Sequence, residues 1–335
     1  MSFWKGRRVL VTGGAGLIGS YVTELLVRSG ARVRVADNLE RGNLDNLSTC
    51  ISDIEFYTVD LRDLNLCRLV TRDMDVVLHL AARTVGVGYS QLHHGEMFTS
   101  TLMTSLNVLQ ACVESNVRRV LVASSSCVYP DGLKGPIRED DSEHGNPEKD
   151  NEGYGWAKRM TELQVRYFQA EYNLEIAIVR PPNAYGPRYP FHLPEPHVIP
   201  ALVLRVLQGE NPLRVWGSGQ QRRSFLHAQD AAEAILRIAA NYANGLPVNV
   251  SGPDDIGIGD LARLILRLSG HNERPIVFET DRPEGAPHKA VDLSRFYEAT
   301  GGFKPRISLE EGLQEVIAAA DRYLAAKAEP AARGL

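Results

Sequence analysis

The segment that most constrains the fold of this chain is Val9-Leu-Val-Thr-Gly-Gly-Ala-Gly-Leu-Ile-Gly-Ser20, where an apolar run gives way to glycines and then to a helical pattern. Gly13, Gly16 and Gly19 follow the spacing G-x-x-G-x-x-G. Gly13 suits a tight turn, Gly16 lets backbone approach a pyrophosphate, and Gly19 lets a helix at 17–29 pack closely. Because the N–H groups at such a helix start attract phosphates, the run predicts a dinucleotide-binding strand–turn–helix unit.

A second strand supports this interpretation and bears on the choice of cofactor. Arg32-Val-Arg-Val-Ala36 is followed by Asp37, 18 residues after Gly19. A carboxylate at that position accepts hydrogen bonds from the adenosine ribose and repels a 2′-phosphate, so it favours NAD over NADP. Arg41 points the other way, because a nearby arginine can pair with that phosphate.

The alternation of strands and helices predicts an α/β fold with a Rossmann-type doubly wound parallel sheet. We predict a NAD-binding domain at 1–180, a smaller C-terminal α/β substrate domain at 181–330 with segments that return to the sheet, and a frayed tail at 331–335. Several predicted strands are nearly continuous apolar runs, as expected of strands buried on both faces. In the first domain they are 7–12, 31–36, 55–59, 75–80, 119–124 and 175–180.

Charge and composition exclude several functional classes. The net charge of −4, from 37 basic and 41 acidic residues, gives no general attraction for nucleic acid or membranes. The four cysteines follow neither a metal-binding nor a secreted disulfide pattern, so we predict a reducing compartment and no metal site. The N-terminal residues lack the apolar core of a signal peptide, and no apolar run approaches about 18 residues, so we expect a cytoplasmic protein.

Polar residues follow two further strands of the predicted sheet. Asp60 comes after the third strand, and His79-Leu-Ala-Ala-Arg83 closes the fourth. Open α/β sheets bind ligands along this carboxyl edge. Asp60 has two interpretations that the sequence leaves open, an adenine contact and an N-cap for the helix that follows.

The residues able to do acid–base chemistry lie after the fifth strand and at the start of a predicted helix at 152–172. A serine run precedes Cys127, and Tyr154 and Lys158 are four residues apart, so they share one helical face. A neighbouring ammonium favours the phenolate, so we expect a lowered pKa for Tyr154. A serine hydroxyl can share the proton that leaves an alcohol as hydride leaves its carbon.

The order of these motifs resembles that of the extended short-chain dehydrogenase/reductases, in the nucleotide-sugar epimerase/dehydratase group. The resemblance covers roughly residues 6 to 320 and also includes Arg180-Pro-Pro-Asn-Ala-Tyr-Gly-Pro187 and Gly217-Ser-Gly-Gln-Gln-Arg-Arg-Ser-Phe225. It implies that Ser125 is the catalytic serine, that Tyr154 is the base and that Lys158 binds the nicotinamide ribose.

Within the group, Ser125-Ser-Cys-Val-Tyr-Pro130 is similar to the motif of GDP-fucose synthases and GDP-mannose 3,5-epimerases. In those enzymes the cysteine is an acid/base for epimerisation, which implies the same role for Cys127. Pro196-His-Val-Ile-Pro-Ala-Leu202 resembles the synthase segment that carries the partner histidine, which implies that role for His197. Once C4 of a sugar is a ketone, the C3 and C5 hydrogens are acidic, and inversion needs a base on one face and an acid on the other.

The motifs and the resemblance together assign the site residues. The catalytic set is Ser125, Cys127, Tyr154, Lys158 and His197. The cofactor is NAD, and its expected contacts are Gly13, Gly16, Leu17, Ile18, Gly19, Asp37, Asn38, Asp60, Leu61, Ala81, Ala82, Arg83, Tyr154 and Lys158. The expected substrate contacts are Gly86, Ser126, Asn183, His197, Arg223 and Arg282, with Arg282 on the diphosphate.

The sequence therefore favours an NAD-dependent epimerase of a nucleoside-diphosphate sugar, which oxidises C4 transiently and inverts C3, C5 or both. Alternatives are a fucose-synthase-like 3,5-epimerase/4-reductase that consumes NAD(P)H, a simple 4-epimerase, and a non-catalytic NAD(H)-binding regulator. The resemblance also implies a homodimer, with the helices at 97–115 and 152–172 forming the interface.

Overall fold

The computed structural model describes residues 2–84, 86–181, 183–193, 196–252, 255–282, 284 and 290–333. The strands, in chain order, are β1 Arg8–Thr12, β2 Arg32–Asp37, β3 Ile54–Thr58, β4 Val76–His79, β5 Arg119–Ala123, β6 Glu175–Arg180, β7 Asn183–Tyr185, β8 Leu213–Trp216, β9 Arg222–His227, β10 Pro247–Asn249, β11 Asp255–Gly257 and β12 Ile276–Glu279. The α-helices are α1 Leu17–Arg28, α2 Leu64–Thr71, α3 Val87–Leu92, α4 His94–Glu114, α5 Glu152–Tyr172, α6 Val198–Leu207, α7 Ala228–Asn241, α8 Ile258–Leu268, α9 Ser294–Thr300 and α10 Leu309–Arg333.

Seven parallel strands form the central sheet, in the order β10-β6-β5-β4-β1-β2-β3. The predicted doubly wound sheet is confirmed, and both ends of its first six strands lie within one residue of the predicted bounds. Strand order reverses at the adjacent pair β1 and β4, which is the position where such sheets open a ligand crevice.

Apolar alternation explains why this sheet is buried on both faces. Val9 and Val11 pack on the side covered by α1 and α7, whereas Leu10 packs on the side covered by α2, α4 and α5. All three side chains are fully buried, and each contributes roughly 1.5–3 kcal/mol of hydrophobic stabilisation.

The second half of the chain is divided between two places. Strand β10 pairs in parallel with β6 at the edge of the central sheet, and α7 packs on α1. The remaining strands form a three-stranded sheet, β11-β9-β7, and a two-stranded sheet, β12-β8, beside a separate apolar core. The residues after 180 therefore do two things. Strand β10 extends the central sheet, whereas the other later strands form the smaller sheets.

The last helix, α10, continues to Arg333, and the predicted frayed tail at 331–335 lies partly outside the described residues, so it stays a prediction. Among the residues that the structure describes, no helix is long and apolar enough to cross a membrane.

Candidate active site

A cleft of about 1090 Å³ opens at the carboxyl ends of the parallel strands. It is lined by every predicted catalytic, cofactor and substrate residue except Arg282. Arg282 is exposed, and its guanidinium carbon lies 5.7 Å from the ring centroid of Trp216, which does line the cleft. The fold thus brings residues from distant parts of the sequence to one surface.

The glycine turn at one end of the cleft has the shape that a dinucleotide requires. Gly13 has a φ of +69°, and a Cβ there would lie 2.9 Å from the backbone of Ala81. A Cβ on Gly19 would lie 2.0 Å from the carbonyl oxygen of Gly13, so only glycine lets α1 start this close to the turn. Gly16 is the N-cap and has no side chain to cover the helix start, where Leu17 and Ile18 line the cleft. These features fit the pyrophosphate of NAD.

Asp37 ends β2 beside this turn. Its carboxylate accepts hydrogen bonds from the backbone N–H of Ala15 at 3.0 Å and of Leu39 at 2.9 Å. Burial raises the pKa of Asp37, while the two N–H groups oppose that rise by stabilising the charged form. The carboxylate is therefore held in a fixed orientation beside the glycine turn, where it lines the cleft.

The structure replaces one of the two interpretations of Asp60. The N-cap of α2 is Asp63, whose side chain accepts the N–H of Asn65. Asp60 instead holds the guanidinium of Arg62, with Nε and Nη2 of that arginine at 3.0 and 2.5 Å from its carboxylate oxygen Oδ2. The cap interpretation was wrong because the helix begins three residues later than the local pattern indicated.

Ser125, Tyr154 and Lys158 form a buried group where β5 meets α5. Their exposed fractions are 8%, 8% and 1%. Ser125 accepts a hydrogen bond from the backbone N–H of Cys127 at 3.1 Å and is hydrogen-bonded to Tyr154. A Cβ on Gly155 would lie 2.5 Å from the carbonyl oxygen of Cys127, so the glycine after Tyr154 allows α5 to approach the serine turn.

The predicted lowering of the Tyr154 pKa is not observed. Burial raises the pKa of this phenol, the neighbouring Cys127 adds to the rise, and the Ser125 hydrogen bond opposes it. The Lys158 ammonium lies 5.6 Å from the Tyr154 ring centroid and donates to the carbonyl oxygen of Ala123 at 2.6 Å. The prediction was wrong because four-residue spacing fixes the shared helical face but not the degree of desolvation, which here dominates.

His197 is the N-cap of α6 and lies in the loop that follows β7, open to the cleft. The surrounding protein lowers its pKa to about 4, with a further contribution from the positive charge of Arg41. The Tyr189 hydroxyl accepts the His197 backbone N–H at 2.9 Å and is also hydrogen-bonded to Arg41. The imidazole is therefore neutral at physiological pH and able to accept a proton.

A buried ion pair supports the junction between the two halves of the site. Arg180 ends β6, is 2% exposed, and donates to both carboxylate oxygens of Glu162 at 2.8 and 2.6 Å. It also donates to the hydroxyl of Tyr129 at 2.9 Å, and Tyr129 donates to Asn249 of β10 at 2.5 Å. This network connects α5, the serine turn and the edge strand behind the catalytic residues.

The far end of the cleft is built by the smaller sheets. Asn183 starts β7 and donates through Nδ2 to the carbonyl oxygen of Ser224 at 3.3 Å. Arg223 lies on β9, and its Nη2 donates to the carbonyl oxygen of Glu284 at 3.3 Å. The Glu284 carboxylate accepts the N–H and the hydroxyl of Ser218, at 3.0 and 2.7 Å. The predicted substrate residues Asn183 and Arg223 thus face the cleft from one small sheet.

Sequence reasoning missed several residues that shape this site. Tyr189, Glu40, Glu96 and Glu284 all either line the cleft or hold a residue that does. Tyr189 lies in a proline-rich loop without periodic signal, and the acidic residues are separated in sequence from the groups they contact. Gly86, an expected substrate contact, lines the cleft as the N-cap of α3.

Comparison with known proteins agrees with this geometry. A model of the NAD dependent epimerase/dehydratase family matches residues 9–259. The chain is 31% identical over 318 residues to a dTDP-4-dehydro-6-deoxy-D-allose reductase of Streptomyces sp, covering 93% of this chain and 95% of that protein. It is 30% identical over 317 residues to a GDP-L-fucose synthase of Sinorhizobium fredii, with the same coverages of 93% and 95%. The structure of a UDP-glucose 4-epimerase with UDP-glucose, from the hyperthermophilic eubacterium Thermotoga maritima, has a TM-score of 0.84 at 27% identity, covering 95% of this chain and 99% of that chain.

Proposed function

This chain belongs to the NAD dependent epimerase/dehydratase family of nucleotide-sugar enzymes, and we propose that it inverts a carbon next to C4 in a nucleoside-diphosphate sugar. The observation that carries this proposal is the presence of Cys127 and His197 in the cleft that also holds Ser125, Tyr154 and Lys158. A thiol and a neutral imidazole are the two proton carriers that inversion requires.

In the proposed reaction, bound NAD⁺ supplies the acceptor for the C4 hydride. Tyr154 takes the O4 proton in its phenolate form, which the hydrogen bond with Ser125 favours and burial opposes. The ketone formed at C4 makes the C3 and C5 hydrogens acidic. His197 removes one of these protons, and the Cys127 thiol donates a proton to the same carbon from the other face. When C4 is reduced again, Tyr154 would return its proton to O4, which reverses the first step.

The neutral state of His197 is compatible with its assignment as the base. The lowered pKa leaves the imidazole unprotonated at pH 7 but also makes it a weaker base, so the assignment is based on its place in the cleft and on the resemblance rather than on its pKa. After inversion the site holds an imidazolium and a thiolate, which exchange protons with water to reset the pair. Inversion by this route therefore introduces a solvent hydrogen into the sugar.

A second candidate is a 3,5-epimerase/4-reductase that consumes NADH or NADPH. Two relatives at 30–31% identity favour it, because their names are those of a 4-keto-sugar reductase and a fucose synthase. The same Cys127 and His197 would act before a final reduction by the Tyr154 site. Asp37 supports the recycled NAD of the first candidate.

Incubation of the enzyme in D2O with GDP-, UDP-, dTDP- and CDP-sugars, without added cofactor, separates these functions. Deuterium at C3 or C5 of one sugar, seen by mass spectrometry and proton NMR, is the result we expect. We also expect Cys127→Ser and His197→Gln to abolish this label. Inversion without deuterium would assign a 4-epimerase, and product formation only with a 4-keto sugar and stoichiometric NAD(P)H would assign the reductase. Turnover of no sugar under any condition, with NAD still bound, would favour a regulator.

We also propose a homodimer through α4 and α5. Met103 and Leu106 on α4 and Tyr167 on α5 are apolar side chains with exposed fractions of 43%, 38% and 62%. A two-fold arrangement would bury this face against the same helices of a second copy. Analytical ultracentrifugation of the wild type and of the Leu106→Glu variant tests the proposal, and a monomeric wild type would overturn it.

A further inference from the structure

The end of the cleft beside Asp37 is lined by arginines that are engaged by other protein groups. Arg41, Arg62 and Arg83 all line it. Arginine is the residue type that binds a 2′-phosphate, because its planar fork matches the phosphate oxygens. The partners of these guanidinium groups therefore bear on which dinucleotide the cleft accepts.

Two of these arginines are held by carboxylates. Arg62 forms the close pair with Asp60, and their side chains are 48% and 41% exposed. Arg83 places Nη1 2.6 Å from an oxygen of Glu96 on α4, and its Nε lies 3.8 Å from Glu40 in the loop after β2. The negative charges of Glu40 and Glu96 also stabilise the Arg62 guanidinium. The five side chains that interact in this way are Glu40, Asp60, Arg62, Arg83 and Glu96, and they form one charged cluster.

A tyrosine orients the central carboxylate of this cluster. The Tyr89 hydroxyl donates to Glu96 at 2.7 Å and accepts from Nη2 of Arg83 at 3.4 Å. The Arg83 guanidinium carbon lies 5.6 Å from the Tyr89 ring centroid. Arg41, the third arginine, interacts with the hydroxyl of Tyr189, which also lines the cleft.

We propose that Asp60 and Glu96 are cofactor-specificity residues, which hold Arg62 and Arg83 away from a 2′-phosphate and so make the cleft select NAD over NADP. NADP would place a doubly charged phosphate beside Asp37 and Glu40, and this phosphate could pair with Arg62 or Arg83 only by competing with their carboxylates. The cluster contains three carboxylates and two guanidinium groups, so its net charge is negative. This inference depends on dinucleotide binding in the cleft and is independent of the sugar chemistry.

Glu96→Gln tests the proposal most directly, because it neutralises the carboxylate with little change in shape and frees Arg83. Isothermal titration of the whole protein with NAD⁺ and with NADP⁺ gives the ratio of the two affinities. We expect Glu96→Gln to shift this ratio towards NADP⁺ by about fivefold, the scale of one exposed charge pair. Adding Asp60→Asn should shift it by roughly a further fivefold if the two pairs act independently.

The matched control is Glu114→Gln, on the same helix. Glu114 holds Arg68 at 2.6 Å, in a pair that is partly exposed like that of Asp60, and neither residue lines the cleft. We expect the control to leave the ratio within about twofold of wild type. Titration with 2′,5′-ADP and 5′-ADP should reproduce the shift, since these probes differ only in the 2′-phosphate.

The salt dependence of the affinity ratio is a second test, because the expected effect arises from charge. Because exposed charges are screened, the shift in the double variant should shrink between about 0.05 and 0.5 M salt. A ratio that stays at the wild-type value in the double variant would overturn the proposal. Equal changes in NAD⁺ and NADP⁺ affinity would overturn it too, because the carboxylates would then shape the pocket without discriminating. Failure of all sugars to react would leave this result unaffected and would count only against the proposed function.

Discussion

The two ends of the reaction site are built in different ways. On the cofactor side, Ser125, Tyr154 and Lys158 project from β5 and α5, are nearly buried, and have hydrogen bonds that hold their positions. On the sugar side, His197 and Asn183 are exposed to the cleft at the starts of α6 and β7. In the proposed reaction, hydride chemistry therefore depends on residues of regular elements, whereas the base for proton transfer at the sugar ring comes from a loop beside the smaller sheets.

Replacement of the central phenol should have the largest effect. Tyr154→Phe removes the proton acceptor for C4 oxidation, so we expect turnover to fall about 10²–10⁴-fold. NAD⁺ affinity should change little, because the ring remains. Tyr297→Phe on α9 is the control, because this tyrosine is 37% exposed and does not line the cleft, and it should keep wild-type turnover. Rates are measured on the sugar identified in D2O, and an active Tyr154→Phe enzyme would remove the distinction between the two sides.

The second prediction concerns the buried support behind the cofactor side. Glu162→Gln leaves the guanidinium of Arg180 without its anionic partner, in a place where both side chains are at most 6% exposed. We expect the free energy of unfolding to fall by about 3–5 kcal/mol, as measured by urea titration. Glu143→Gln breaks the exposed pair with Arg166 and should cost less than about 1 kcal/mol. If the free energy of unfolding fell equally in the two variants, the buried network would not stabilise the site more than an exposed pair does.

The pH dependence of NAD⁺ affinity should distinguish the cofactor side from the sugar side without any substitution on the sugar side. Burial lowers the pKa of Lys158 from 10.5 to about 8, so its ammonium is lost as the pH rises through about 8. If Lys158 binds the nicotinamide ribose, NAD⁺ affinity should weaken above that pH. Titration calorimetry from pH 7 to 9.5 measures this, and Lys158→Arg, which keeps its charge, should give a flatter profile. An identical profile in both proteins would assign the dependence to another group.

Lys158 should also make the free energy of unfolding depend on pH. The unfolded chain retains the Lys158 proton up to about pH 10.5, whereas the folded protein releases it near 8. The contribution of Lys158 to stability should therefore rise with pH across this window. Urea unfolding of wild type relative to Lys158→Met, measured at pH 8 and pH 10, tests the direction, and a falling difference would contradict it.

The smallest effect should come from Tyr189, whose hydroxyl holds the backbone of His197. Tyr189→Phe removes the hydroxyl that accepts the His197 N–H and is bonded to Arg41. Loss of that acceptor costs about 1–3 kcal/mol, so solvent-deuterium exchange should slow by roughly tenfold. NADH formation should remain within about twofold of wild type, since the cofactor side is untouched. A proportional loss of both rates would show that the two sides are coupled rather than separate.

Local sequence was sufficient for the cofactor side. The glycine turn, the carboxylate after β2 and the Tyr154–Lys158 spacing are all set by residues within a few positions of each other, so their geometry follows from backbone conformation. Strand bounds were predicted well for the same reason, because strands buried on both faces are continuous apolar runs. Asp63 shows the limit even here, since the choice among neighbouring capping residues depends on where the helix meets the sheet.

What the sequence by itself determined is the doubly wound sheet and the set of residues at its carboxyl edge, because periodicity and short-range spacing encode both. Only the tertiary structure decided the electrostatics of the site. The rise in the Tyr154 pKa arises from burial, whereas the effect of Arg41 on His197 and the pairing of Arg83 with Glu96 arise from contacts between distant segments. The place of β10 beside β6 was decided in the same way, because strand order depends on the packing of whole elements rather than on local pattern.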